Sequence, residues 1–139
     1  MPRRCGIDTS ILVRLATGEP EREFEQVVAA LTHRVEVEHT ALFASHMVIG
    51  EAYVALQHHY GVAKPDAKAA LRSVLSSGLV APSGGDPVLD ALATNRGCGL
   101  LDRLIALQYS ADDLSTLTLD RKMAALTNVT RLTAKSASR

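Results

Sequence analysis

Short apolar stretches alternate with longer amphipathic stretches along the chain, and this alternation predicts strands that are followed by helices. The predicted strands span residues 5–7, 40–44, 79–81, 114–119 and 129–132. The predicted helices span residues 11–16, 20–34, 46–60, 64–77, 87–95, 100–110 and 121–126. Strands that alternate with helices form a parallel sheet covered on both faces. We therefore predict an α/β fold of three layers, α/β/α, with a central parallel sheet of four to five strands.

Capping and breaking residues mark the ends of these elements. Ser45 is a predicted N-cap, Gly78 stops a helix, and Pro82 ends the third strand. Asp86, followed by Pro87, suits an N-cap and a first helical residue. The pattern continues without a linker, so residues 1–132 are predicted to form a single domain, followed by a short polar tail at 133–139.

Composition narrows the class of protein. The chain has 139 residues, of which 47% are hydrophobic and 22% charged, enough for one domain to bury a core. No apolar run reaches the roughly 18 residues of a membrane span, and the start does not resemble a secretory signal, so we expect a cytoplasmic protein. Cys5 and Cys98 are far apart, which indicates idle or buried thiols rather than a disulfide framework or a zinc site.

The net charge restricts how the chain could contact nucleic acid. Fifteen Lys and Arg residues balance fifteen Asp and Glu residues, so bulk basicity does not hold a polyanion. The chain has three Tyr, two Phe and no Trp, too few for a platform that stacks successive bases. Any RNA contact is therefore expected at phosphates.

Two aspartates follow predicted strands. Asp8 comes after the first strand and Asp120 after the fourth. Ligands of parallel α/β sheets lie beyond the carboxyl ends of the strands, where both side chains would emerge. Each aspartate has an alternative interpretation as the N-cap of the next helix.

Glu51 and Asp102 interrupt apolar helix faces. Their apolar neighbours on the predicted helices are Met47, Val48, Val54 and Ala55 for Glu51, and Ile105, Ala106 and Tyr109 for Asp102. A carboxylate on a buried face is costly unless a cation or hydrogen-bond donors satisfy it. The open alternative is that the helical phase is wrong by one residue and both acids lie on the surface.

A metal ion would explain why these four acids are present. Clustered carboxylates raise each other's pKa, whereas a hard divalent cation favours their ionised forms, and Mg²⁺ or Mn²⁺ suits oxygen-only ligands. Without these four acids the chain has 15 basic and 11 acidic residues. This basic excess favours a phosphate-bearing partner.

Four segments resemble one known family. They are Gly6-Ile7-Asp8-Thr9-Ser10, Val48-Ile49-Gly50-Glu51, Leu100-Leu101-Asp102-Arg103-Leu104-Ile105-Ala106 and Leu117-Thr118-Leu119-Asp120-Arg121-Lys122. In this order they resemble PIN-domain nucleases and, more narrowly, the VapC-type toxins of bacterial toxin–antitoxin modules. The resemblance extends from residue 6 to about residue 132.

The resemblance implies a metal site and roles for its residues. Asp8, Glu51, Asp102 and Asp120 would hold Mg²⁺ or Mn²⁺, and the hydroxyls of Ser10 and Thr118 would lie nearby. Asn is commoner in the family at the position of Ser10, so here a hydroxyl would orient water or phosphate.

The same resemblance implies an activity and partners. The protein would be an endoribonuclease in which metal-activated water hydrolyses RNA, leaving a 5′-phosphate and a 3′-hydroxyl. A cognate antitoxin would neutralise it, and two copies would pair as a homodimer. The alternative is a catalytically silent PIN scaffold that binds RNA or a protein partner.

Basic and histidine residues supply weaker candidates. Arg14, Arg103, Arg121 and Lys122 are basic candidates for guiding the RNA backbone. The open alternative is that each is an ordinary surface or ion-pairing residue. The histidines are predicted to be surface residues. His58 and His59 are adjacent and point about 100° apart on a helix, so a histidine pair acting on a 2′-hydroxyl is not indicated.

Overall fold

Parallel strands and the helices that cover them make up residues 3–133, the part of the chain that the computed structural model describes. The strands are β1 (Arg3–Gly6), β2 (Thr40–Ala44), β3 (Ala81–Pro82), β4 (Thr116–Thr118) and β5 (Val129–Arg131). The helices are α1 (Thr9–Thr17), α2 (Glu21–Glu36), α3 (His46–His58), α4 (Lys64–Leu75), α5 (Asp86–Ala93) and α6 (Leu100–Ala111), and a 3₁₀ turn spans Met123–Ala125. The predicted α/β class is confirmed, and the predicted tail, apart from Thr133, lies outside the described residues.

All strand pairs are parallel, and their hydrogen bonds form two ladders. In the first ladder β2 lies between β1 and β3, with Arg3 opposite Thr40 and Phe43 opposite Ala81. In the second, β4 pairs with β5, with Thr116 opposite Val129. The predicted number of strands is therefore found, but in residues 3–133 they are hydrogen-bonded as three plus two, not as one continuous ladder.

The first strand differs from its prediction. It was predicted as a buried strand at 5–7, whereas β1 is exposed along its whole length and its ladder is extended by the Ile7 amide, which donates to the Phe43 carbonyl at 2.8 Å. The guanidinium of Arg4 lies over the Phe43 ring, 4.8 Å from its centroid. Both cysteines are free thiols, Cys5 exposed and Cys98 buried.

Leucine and isoleucine side chains from the helices fill the core. Leu12 of α1, Ile49 of α3 and Leu71 of α4 are fully buried, and Leu100 at the start of α6 is nearly so. Burial of each such side chain stabilises the fold by about 1.5–3 kcal/mol. Since α1 begins directly after Asp8 and α6 begins two residues before Asp102, the core fixes the position of both segments.

Several element ends differ from the sequence predictions for local reasons. Pro82 lies within β3 and does not follow it, because an edge strand tolerates a missing N–H. Gly85, at φ 76°, is the cap of α5, and Asp86 is its first helical residue. Segment 121–126 contains only the 3₁₀ turn. Within residues 3–133, none of the helices is long and apolar enough to cross a membrane.

Candidate acidic site

Asp8 follows β1 and caps the N-terminus of α1. Its Oδ1 accepts a hydrogen bond from the Ser10 hydroxyl at 2.6 Å and another from the Ile11 amide at 3.3 Å. The Ser10 hydroxyl, followed by the Ile11 amide, holds the pKa of Asp8 below its ordinary value, since both bonds favour the anion. Asp8 is therefore ionised at neutral pH, and because Oδ1 accepts both bonds, Oδ2 keeps capacity for a ligand.

Glu51 is connected to the same region through Thr9. Helix α1 packs against α3, and the Thr9 hydroxyl donates to Oε1 of Glu51 at 3.3 Å. Thr9 is the residue directly after Asp8, so the structure brings the end of β1 and the exposed acid of α3 to one place. The sequence reasoning did not identify Thr9, although a hydroxyl at the first position of the helix after Asp8 was the available signal.

Asp102 lies in the first turn of α6, which packs against α3. Its side chain is half-buried and makes no hydrogen bond or ion pair with any residue in the range 3–133. Asp102 therefore has both carboxylate oxygens available.

Asp120 follows β4 and lies two residues before Lys122, the N-cap of the 3₁₀ turn. Its Oδ1 accepts from the amides of Lys122 at 2.7 Å and Met123 at 3.0 Å, and its own amide donates to the Thr118 hydroxyl at 3.0 Å. The capping alternative is thus correct for Asp8, the N-cap of α1, whereas Asp120 binds two amides at the start of the 3₁₀ turn without being its N-cap. Each aspartate uses a single oxygen for these bonds, so its second oxygen can bind a cation.

The four acids do not form a preassembled cluster. Among residues 3–133 no three or more His, Cys, Asp or Glu side chains are arranged to hold a metal ion. The donor type nevertheless fits Mg²⁺, which is usually bound by one or two carboxylates together with waters and substrate phosphates. The common pocket of Asp8, Glu51, Asp102 and Asp120 stays a prediction.

An apolar groove of about 940 Å³ lies between α3 and α6 and reaches Thr9 and Glu51. Its other lining residues are His46, Met47, Gly50, Val54, Ala55, His59, Leu101, Leu104, Ile105, Gln108 and Tyr109. Met47 is 75% exposed and Ile105 47%.

The faces of α3 and α6 that carry Glu51 and Asp102 were predicted to be buried. That prediction is wrong for Glu51, which is exposed. An apolar stripe that lines an open groove has the same sequence pattern as one that faces the core.

The predicted RNA-guiding cations differ in accessibility. Arg121 and Lys122 are exposed beside Asp120, whereas Arg14 is half-buried in the last turn of α1. Arg103 is half-buried and donates through Nε to the Cys98 carbonyl at 3.2 Å and through Nη2 to the Arg96 carbonyl. Two of its three guanidinium nitrogens therefore bind backbone carbonyls, and the role of Arg103 in guiding RNA stays a prediction.

One histidine contradicts the prediction that the histidines are surface residues. His46, the first residue of α3, is 8% exposed and packs against Gly84, whereas His58 and His59 are exposed as predicted. Burial lowers the pKa of His46, and the charge of Asp112 opposes this shift. The neutral imidazole is therefore favoured in the folded protein.

The architecture and the site together define a class of protein. Asp8 and Asp120 follow parallel strands, and helices α3 and α6 carry Glu51 and Asp102, so this is an α/β protein with acidic residues after its strands and on two of its helices. The sequence profile of the PIN domain matches residues 6–129, and the chain therefore belongs to the PIN domain family. PIN domains are typically metal-dependent nucleases that act on nucleic acids. No curated protein and no solved structure matches the chain.

Proposed function

We propose that this PIN domain is an endoribonuclease that hydrolyses RNA with Mg²⁺ or Mn²⁺. The observation that carries the proposal is the ionised Asp8 at the end of β1, joined through Thr9 to Glu51 on α3. A bound divalent ion would supply an activated water and offset the charge that develops on phosphate oxygens. The residues proposed to hold it are Asp8, Glu51, Asp102 and Asp120.

The chain's hydroxyls act on these acids. Ser10 donates to Asp8 and keeps it anionic, and the Thr118 hydroxyl accepts from the Asp120 amide and so fixes the turn that carries Asp120. Ser10 thus has a function in place of the Asn that is commoner in the family. Ser10 orients a carboxylate directly, and Thr118 orients the backbone of Asp120.

Exposed cations are proposed to contact the RNA backbone. Arg121 and Lys122 lie directly after Asp120, and the amide of Lys122 is fixed by that carboxylate. Their charged side chains are exposed, so phosphate oxygens can reach them without displacing an internal contact. Contacts of this kind position RNA without reading its sequence.

The more specific identity that we propose is a VapC-type toxin that is cytoplasmic, forms a homodimer and is neutralised by a cognate antitoxin. The four ordered segments support it, and so does the groove between α3 and α6. A large contiguous apolar patch that is exposed on a protein often marks a site where a protein partner binds. Light scattering of the purified chain, alone and mixed with a candidate antitoxin, tests both partners.

A silent scaffold is the second candidate function. It is favoured by the absence, within residues 3–133, of a group of three or more acids arranged for a metal. The scaffold would bind RNA or a protein without hydrolysis. RNA binding in Mg²⁺ or Mn²⁺ without any cleavage product would select it over the endoribonuclease.

Cleavage of a mixed RNA substrate tests the leading proposal. We expect products with 5′-phosphates in Mg²⁺ or Mn²⁺, none after chelation, and a loss of at least 100-fold in the Asp8→Asn and Asp102→Asn variants. Asp113→Asn is the matched control, because Asp113 lies in an exposed turn at φ 59°, which Asn adopts readily. Cleavage that survives chelation or either site substitution contradicts the mechanism.

A further inference from the structure

Three carbonyls in the connection between α5 and α6 are bound by cationic side chains. Lys68 donates through Nζ to the Thr94 carbonyl, while Arg103 binds the carbonyls of Arg96 and Cys98. Alternate residues of the segment 94–98 are therefore tied to the body of the protein. This connection, residues 94–99, ends at the start of α6.

Burial of the two cationic side chains, Lys68 and Arg103, has a cost in free energy that their hydrogen bonds must offset. Lys68 is 8% exposed and Arg103 is half-buried. Burial, and then the charge of Arg103, lowers the pKa of Lys68, so the two cations lie close enough to repel each other. Charge-assisted hydrogen bonds to the three carbonyls offset this cost. Lys68 is therefore held inside the protein, and Arg103 uses two of its three nitrogens on this loop.

The start of α6 depends on this connection because it has no side-chain cap. Gly99 is the N-cap and makes no side-chain hydrogen bond. Gly97 has φ 76°, and a Cβ at that position would lie 3.2 Å from Nη2 of Arg103, so the absence of a side chain lets the guanidinium approach the loop. Asp102 is next to Arg103 in the first turn of α6, three residues after Gly99.

We propose that Arg103 is a positioning residue: with Lys68 it fixes residues 94–99 and so sets the place of Asp102 for the divalent ion. This inference rests on the proposed function, since it takes Asp102 as a metal ligand. It replaces a direct RNA contact with an indirect role through the backbone. Outer contacts that orient a ligand typically change metal affinity 10- to 100-fold when they are removed.

The test uses Arg103→Gln, Arg103→Lys and Gly97→Ala, with Arg22→Gln as the control. Arg22 is exposed on α2, and its side chain contacts none of the carbonyls between 94 and 98. Mn²⁺ affinity is measured by calorimetry without RNA, and hydrogen exchange is followed at amides 95–104. RNA affinity is measured against salt concentration in Ca²⁺.

We expect Arg103→Gln and Gly97→Ala to weaken Mn²⁺ binding about tenfold and to speed exchange at 95–104, while Arg22→Gln changes neither. Arg103→Lys should recover part of the affinity, because one ammonium can still bind a carbonyl. The salt dependence of RNA binding should be unchanged in Arg103→Gln. A slope smaller by about one would show a phosphate contact and overturn the proposal.

Two further outcomes separate this proposal from the proposed function. If Arg103→Gln speeds exchange but binds Mn²⁺ like the wild type, the loop contact is purely structural and the inference is wrong. If the wild-type protein binds no Mn²⁺ and releases no RNA fragments in Mn²⁺, the proposed function fails. The exchange data then still report whether Arg103 orders the backbone of Asp102.

Discussion

The hydroxyl of Thr9 donates to the carboxylate of Glu51 across 3.3 Å, and this bond connects the first residue of α1 with the sixth residue of α3. Because Asp8 directly precedes Thr9, the contact determines how near the exposed Glu51 carboxylate lies to the strand end. The bond joins Glu51 to the residue after Asp8, while the Asp8 carboxylate is bound by Ser10 and Ile11. The chain thus places Glu51 by a hydrogen bond rather than by burial.

Replacement of Thr9 tests this link. Thr9→Val removes the donor at nearly constant volume, and we expect RNA cleavage to fall about tenfold, which corresponds to roughly 1.4 kcal/mol for an exposed hydrogen bond to a charged group. Thr9→Ser keeps the hydroxyl and should retain most activity. Equal rates for the Val and Ser variants would show that the contact does not contribute to cleavage.

Removal of the Ser10 hydroxyl should raise the pKa of Asp8. That hydroxyl is the largest cause of the lowered pKa, and the Ile11 amide is the next. Because the folded pKa is below the unfolded value, the Asp8 bonds stabilise the fold above about pH 3.8 and this contribution disappears as the pH falls. Carbon-13 NMR titration of the metal-free protein measures Asp8 in Ser10→Ala, with Ser73→Ala, exposed on α4, as the control. An unchanged pKa in Ser10→Ala would contradict the assignment.

Stability should decrease as the pH is lowered from about 6.5, through His46. Its folded pKa is lowered by burial, so the unfolded chain binds more protons in the window below the ordinary value. Urea unfolding between pH 5 and 8 should therefore show a drop that is smaller in His46→Gln. The exposed His58→Gln serves as the comparison. If both variants follow the wild-type pH profile, the titrating group lies elsewhere.

Elements with regular patterns and capping residues could be predicted from the sequence. Strand β2 has the predicted bounds, and every second residue along it is buried. Ser45 is the predicted cap of α3, since its hydroxyl accepts a hydrogen bond from the Val48 amide. Helices α2 and α4 begin within one residue of the prediction. Periodicity and capping are local, so the sequence alone is sufficient for them.

The site was less predictable because it depends on distant contacts. Asp8 and Asp120 were placed after strands from the pattern alone, whereas the contact between Thr9 and Glu51 joins residues 42 apart. The proposed role of Arg103 depends on the loop 94–99, and from the sequence the glycines of this loop predict only a break between helices. An apolar stripe does not reveal whether it faces a core or an open groove, which is why Glu51 was predicted on a buried face.

A methyl group at Gly84 should destabilise the fold. A Cβ there would lie 2.7 Å from Nε2 of His46 and 2.9 Å from Cγ2 of Val88, both of which are buried. We expect Gly84→Ala to lower the free energy of unfolding by about 1–3 kcal/mol, as overpacking does. Gly6→Ala is the control, because its Cβ would be 3.8 Å from the Phe43 carbonyl. A Gly84→Ala protein as stable as Gly6→Ala would show that the His46 ring moves freely.

Polar substitutions in the groove should separate partner binding from folding. Met47 and Ile105 are 75% and 47% exposed, so the Met47→Ser, Ile105→Ser double variant should unfold within about 1 kcal/mol of the wild type. If the groove is the surface covered in the proposed homodimer, loss of two apolar side chains should weaken association at least tenfold. Light scattering across a concentration series measures this, with Val37→Ser, 61% exposed outside the groove, as the control. If the double variant dimerises as strongly as Val37→Ser, the homodimer interface lies on another face. The groove is then the candidate surface for the antitoxin, and the double variant should bind the antitoxin more weakly than the wild type does.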